Sequence, residues 1–246
     1  MFASVAYAQN EGNENKFSVS GNFQSDLQYY FEDQKIGAAA VDERILSNSY
    51  ANFMISYGKF SAGVRLEGYL NTMLGFPNTG GKNDGFGVPF YWGNFTNDNL
   101  EVTVGHFYEQ FGNGLTLRSY EEKSLGIDNA ILGVRVKCSV LPGFTVKGLI
   151  GKQRTYWDLS SGMIRGVDGE LQFNDLIKSL NDSKFRFGIG GSFVSKYQKE
   201  ESPIYNLPKN VATAAGRINL SYSNFSLISE YAYKINDPSA DNNYIY

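Results

Sequence analysis

Residues 17–31, FSVSGNFQSDLQYYF, put Phe17, Val19, Gly21, Phe23, Leu27, Tyr29 and Phe31 on one face of an extended chain. Ser18, Ser20, Asn22, Gln24, Asp26 and Gln28 fall on the other. A period of two sustained over this distance belongs to a strand and excludes a helix. Ordinary strands run about 5 to 6 residues, whereas a tilted strand that crosses a bilayer needs about 9 to 11. Length together with alternation therefore predicts the wall of a membrane barrel.

Comparable segments follow. Asn48–Tyr57 and Phe60–Met73 read as a hairpin closed by the two-residue turn Gly58-Lys59. Further strands are expected at Asn99–Tyr108, Ile127–Ser139, Gly143–Tyr156, Gly162–Phe173, Lys184–Tyr197, Asn210–Tyr222 and Phe225–Asn236, which makes ten. Leu141-Pro142-Gly143 and Ser223-Asn224 have the composition of tight turns. Residues 74–98, 109–126 and 198–209 read as long loops, and residues 172–182 as a short helical turn. Short turns alternating with long loops match the two ends of an outer-membrane barrel. The expected fold is an all-β antiparallel transmembrane barrel over residues 9–246. The segment before Tyr246 lacks alternation, so we expect the visible strands to form the N-terminal part of a larger barrel.

Composition is consistent with this. Gly (27) and Tyr (17) are abundant and Pro (6) is scarce, as long strands joined by turns require. A mean hydropathy of -0.32 and no long apolar run exclude a membrane helix, but a polar lumen face would cancel a lipid face in any average. A net charge of -3 without a basic stripe gives no reason to expect a nucleic-acid partner. Ala6-Tyr7-Ala8 has the small-x-small spacing of a signal-peptidase site, which marks residues 1–8 as a signal remnant and the protein as exported. Cys138, within a strand pattern, reads as a small apolar filler.

If the Phe, Val, Leu and Ile faces meet lipid, the opposite faces line a lumen. That inward set includes Asp26, Arg65, Glu67, Glu101, Arg135, Lys137, Lys147, Arg186, Lys196, Arg217 and Glu230, with a slight basic excess. Opposed charges at a constriction would give weak anion selectivity; ordinary solvation of a water-facing surface is the alternative. The stretch Arg118-Ser119-Tyr120-Glu121-Glu122-Lys123, followed by Asp128, could fold into the pore or seal its mouth.

Residues 105–136, GHFYEQFGNGLTLRSYEEKSLGIDNAILGVRV, carry a resemblance. The FGNGL turn, RSYEEKSLG loop and IDNAILGVRV return strand resemble Bacteroidota porin-like outer-membrane barrels catalogued only as a family of unknown function. They also look distantly like substrate-specific porins in which a Gly-Arg-Gln strand end leads to a folded loop; here His106 and Phe107 stand in place of the Arg-Gln pair. The resemblance implies a bacterial outer-membrane location.

Other chemistry has little support in the sequence. A lone His106 could serve a Ser-His-Asp enzyme, yet no activating context surrounds any serine, and an interfacial place near a strand end is expected instead. No cofactor is implied, and no HxxxH or CxxC spacing exists for a metal. Asn83-Asp84 and residues 237–242 are oxygen-rich enough for calcium, as solvated loops also are. The glycines of FGNGL and FGIGGSF read as bulges or as partners of a crowded lumen rather than a phosphate cradle. The leading function is porin-like passage of small polar solutes, with outer-membrane lipid as surroundings. The alternatives are a plugged scaffold barrel serving surface-complex proteins and a secreted glycan-binding β-sandwich.

Overall fold

Four positive-φ residues sit at two-residue reversals of the chain. Gly58 (φ 55°), Gly143 (φ 76°), Tyr156 (φ 54°) and Ser223 (φ 53°) occupy hairpin turns that only the left-handed region can close so tightly. A computed structural model describes residues 16–38, 43–73, 85–199, 208–235 and 237. Its strands are β1 (Phe17–Tyr29), β2 (Ile45–Tyr57), β3 (Phe60–Leu70), β4 (Gly85–Asn97), β5 (Leu100–Phe107), β6 (Glu121–Glu122), β7 (Ile127–Asp128), β8 (Ile131–Leu141), β9 (Phe144–Thr155), β10 (Asp158–Gln172), β11 (Phe185–Tyr197), β12 (Asn210–Tyr222) and β13 (Phe225–Lys234). One helical turn, α1 (Phe173–Leu176), and a 3₁₀ turn at Lys178–Leu180 follow β10, where the sequence predicts helix.

The described strands make one antiparallel sheet of eleven, in the order β1-β2-β3-β4-β5-β8-β9-β10-β11-β12-β13, and a separate ribbon β6-β7. Sequence neighbours pair throughout, so long-range order rests on short hairpins. The tight turns at 58–59, 98–99, 142–143 and 223–224 lie at one end of the sheet together with α1. The connections 30–44, 71–84, 108–130 and 198–209 leave from the other end, which also holds the short turn at Tyr156-Trp157. The sheet is open, with β1 and β13 as its edges.

Three expectations need correction. Residues 85–97 are a full strand, so the sheet has eleven strands rather than ten. Gly85, Gly87, Gly93 and Pro89 disguise the alternation of β4, whose backbone nonetheless pairs with β3 and β5. Ile127–Ser139 is split into β7 and β8 around Asn129-Ala130, because the first part pairs within the loop. A single sheet also rules out the two-sheet sandwich: the face carrying Phe17, Phe23, Leu27, Val64, Phe193 and Tyr231 is exposed and has no second layer against it. Asn83-Asp84 and all but the first of residues 237–242 lie outside the described residues.

Some glycines are fixed by contact between strands. A Cβ on Gly133 would collide with the Ile150 carbonyl on β9, whereas one on Gly148 would meet nothing within 4 Å. Gly133→Ala should therefore cost roughly 1–3 kcal/mol through forced backbone displacement, while Gly148→Ala should be close to neutral. Urea unfolding of the two variants in detergent measures the difference.

Candidate functional site: an infolded loop held by buried charges

Gly105 takes a φ of 107°, and beyond it the chain leaves the wall as a loop over residues 108–130 that turns back onto the inward face. The loop is folded on itself. Gln110 bridges to Arg118, the Phe111 N–H donates to the Leu117 carbonyl at 3.1 Å, and the Glu109 N–H donates to Ser119 Oγ at 2.8 Å. Phe111 is fully buried, packed with Leu117, Phe107 and Ile131 against Leu149, Ile164 and Val194 of the wall. Gly166 makes room for the Phe111 ring, since a Cβ there would lie 2.8 Å from it.

Three charge clusters tie the loop to the wall. In the first, Arg65 of β3 forks onto Glu121 of the loop at 2.6 and 3.2 Å and donates from Nε to Asn52 at 3.0 Å. Arg154, at the end of β9, donates to both Glu67 and Asp128, and its Nε donates to the Tyr156 carbonyl at 2.7 Å. Tyr69 donates at 2.9 Å to the Glu67 oxygen that Arg154 also holds, and Tyr108 donates at 3.0 Å to the Asp128 oxygen that Arg154 leaves open. The positive φ of Tyr156, costly for a bulky residue, presents that carbonyl to Arg154. Burial pushes the Glu121 carboxyl up from its ordinary range, against the opposing effects of Arg65 and Lys123.

The second cluster joins Arg135 of β8 to Glu101 and, at 3.3 Å, to Glu109 of the loop, which also accepts from Lys147 at 3.0 Å. The third centres on Arg217 of β12, which donates to Asp168 at 2.6 Å and Glu170 at 3.2 Å and lies 3.8 Å from Glu230. There the loop is held by its backbone: the Asn113 N–H donates to Glu230 at 2.7 Å. Gly112 and Gly190 sandwich the Arg217 side chain, and a Cβ on either would collide with it. Lys123 reaches the far side of the sheet, donating to Gln24 of β1 at 3.2 Å and lying 4.4 Å over the Tyr50 ring. The loop thus touches both edge strands, and the inward face wraps around it.

The structure gathers Arg65, Glu67, Glu121, Asp128, Arg135, Lys147, Arg217 and Glu230 into these clusters, as paired charges rather than a solvated surface. Glu122 instead caps the 3₁₀ turn at Lys123–Leu125, accepting from the Ser124 N–H and hydroxyl, and those bonds hold its carboxyl below the usual range. Arg118 is exposed over the Tyr120 ring. Lys137, Arg186 and Lys196 share the inward phase but stay exposed, the first two toward the short-turn end. His106 is buried rather than interfacial: it stacks on Phe90, meets Tyr91 edge-on and bonds the Tyr91 backbone through Nδ1. FGNGL belongs to the infolded loop and not to a strand.

Sequence reasoning missed Arg154, Asp168, Glu109 and Glu170. Arg154 and Lys152 share a phase with the outward Ile150, so alternation hides them. Asp168 follows Ile164 and Gly166 on a face that looks apolar because it meets Phe111.

The pattern of residues across the whole chain matches one described group of proteins. The chain belongs to a family of unknown function, DUF6029, which matches residues 1–246. Among solved structures, a BenF-like porin from Pseudomonas fluorescens Pf-5 is similar at 10% identity and a TM-score of 0.38, over 88% of this chain and 66% of that one. The DUF6029 chain thus spans just under two thirds of that porin's length. No curated protein matches it.

The first cluster yields a test of the network. Arg154→Met leaves Glu67 and Asp128 with an uncompensated charge and should destabilise the fold by about 3–5 kcal/mol. Adding Glu67→Gln should restore a large part of it. A double-mutant cycle by denaturant unfolding reads the coupling.

Proposed function

We propose that the chain forms the wall of an outer-membrane β-barrel whose infolded loop narrows a path for small polar solutes. The observation that carries this reading is an inversion of the usual burial pattern. Large apolar side chains such as Phe23, Leu27 and Tyr231 are more than 70% exposed, while Glu67, Asp168, Arg154 and Arg217 are buried on the opposite face. Water gives no reason for so broad an apolar surface, and lipid does. Strands of 10 to 15 residues, with only β5 at 8, are long enough to cross the bilayer when tilted.

The selectivity we propose is for cations, the reverse of the weak anion preference expected from sequence. Among the described residues, the three clusters hold six basic side chains, Lys123 at the edge of the first included, against eight carboxylates. Glu109, Asp168 and Glu170 shift the balance at the loop, and the unpaired bases Lys137 and Arg186 stand away from it. An acidic constriction raises cation concentration at the narrowest point. The packed cluster around Phe111 favours a second reading, a plugged scaffold barrel, because it fills part of the lumen with apolar side chains.

Conductance separates the two. Protein whose folding is verified by heat-modifiable gel migration should give discrete channels in a planar bilayer, with a reversal potential on the cation side in asymmetric salt. Lys137→Glu should increase that preference. Silence from folded protein would favour the scaffold, and an unchanged potential would remove Lys137 from the path.

A further inference from the structure

The charges of the first cluster do not balance without Lys123. Glu67, Glu121 and Asp128 oppose only Arg65 and Arg154, whose guanidinium groups are already committed to them. The third cation is the Lys123 ammonium, which sits on the Tyr50 ring from a flexible stem in an exposed turn. Lys123 itself lines a cavity of about 280 Å³ between the loop and the wall, near the long-loop end, with Tyr50, Tyr69, Glu121, Asp128, Tyr156 and the Arg154 that is committed to Glu67 and Asp128. The carboxylates of Glu121 and Asp128 keep about a fifth of their surface open, whereas Glu67 is sealed.

The geometry points to a seat for a small organic cation, a primary ammonium, in which Lys123 is the resident occupant that an incoming solute displaces. This rests on reading the inward face as a solute path, and it names the class of solute. The Tyr50 ring already holds a cation on its face, Tyr69 and Tyr156 line the same cavity, and two partly open carboxylates accept the N–H groups of an ammonium. An anion would meet an acid excess there once the lysine moved. The cavity suits a solute of a few heavy atoms. Displacing Lys123 also frees the 3₁₀ turn it anchors to Gln24 and Tyr50, so occupancy and the position of the loop tip are coupled.

Titration of the detergent-folded chain with 1,4-diaminobutane in a calorimeter, with butanoate as the anionic control, tests the seat. The diamine should bind and butanoate should not. Lys123→Gln vacates the seat and should tighten diamine binding about tenfold, while Glu121→Gln should weaken it by a similar factor, the weight of one close charge. Unchanged or weaker binding in Lys123→Gln, or equal binding of butanoate, overturns the proposal. In the bilayer the diamine should interrupt the current. Binding by folded protein that passes no current would refute the path and leave the seat standing; current unaffected by diamine, with no heat of binding, would refute the seat and leave the path.

Discussion

The interaction on which the rest depends is the grip of Arg65 and Arg154 on Glu121 and Asp128, wall on loop, across the inward face. Each partner is costly to bury alone, and the attraction repays that cost only when geometry and additional hydrogen bonds are good. Here they are supplied by Asn52, Tyr69, Tyr108 and the Tyr156 carbonyl. The consequence is positional. A loop held by apolar packing alone could slide along the wall, whereas one held by a forked pair at Glu121, ion pairs at Glu109 and a backbone bond to Glu230 has a single register. The Phe111 cluster then adds burial to a location that the charges have already chosen.

That division of labour explains what could be read from the sequence. β1, β2, β3, β12 and β13 were legible because apolar and polar residues alternate cleanly along them, as Phe17 to Tyr29 illustrates. β4 was not, since Gly85, Gly87 and Pro89 take the place of polar residues on its inward phase and a register shift interrupts its alternation, and the pairing that makes it a strand comes from neighbours on both sides. The inward charges on clean strands were found for the same reason. Arg154 was hidden because it shares its phase with the outward Ile150, and Asp168 because the wall opposite the loop is apolar inward as well as outward: Leu149, Ile164 and Val194 point at Phe111, and the polar signal of those strands is diluted where the loop is densest. An infolded loop erases, on the strands it covers, the pattern that identifies a lumen.

Charge sign follows the same logic. Counting only the visible inward set gave a basic excess, yet three of the bases in it, Lys137, Arg186 and Lys196, stay exposed on the inward phase outside the clusters, while the acids missed by alternation lie against the loop. Selectivity depends on the field at the narrowest point rather than on the sum over the wall. On the proposed solute path the loop, by bringing Glu109, Glu121 and Asp128 to the inward face, makes the local balance acidic.

The sheet's edges impose the last constraint. In lipid the outer backbone groups of β1 and β13 must find partners, because an open edge there is left with unsatisfied N–H and C=O groups. Eleven strands joined in strict antiparallel succession leave β1 and β13 running in the same direction. A direct seam between them would be parallel, with slanted hydrogen bonds and a change of register rules at one place in the wall. An antiparallel closure instead takes an odd number of intervening strands, and each added strand widens the barrel. The loop bears on this choice, since it already reaches Gln24 on one edge and Glu230 on the other.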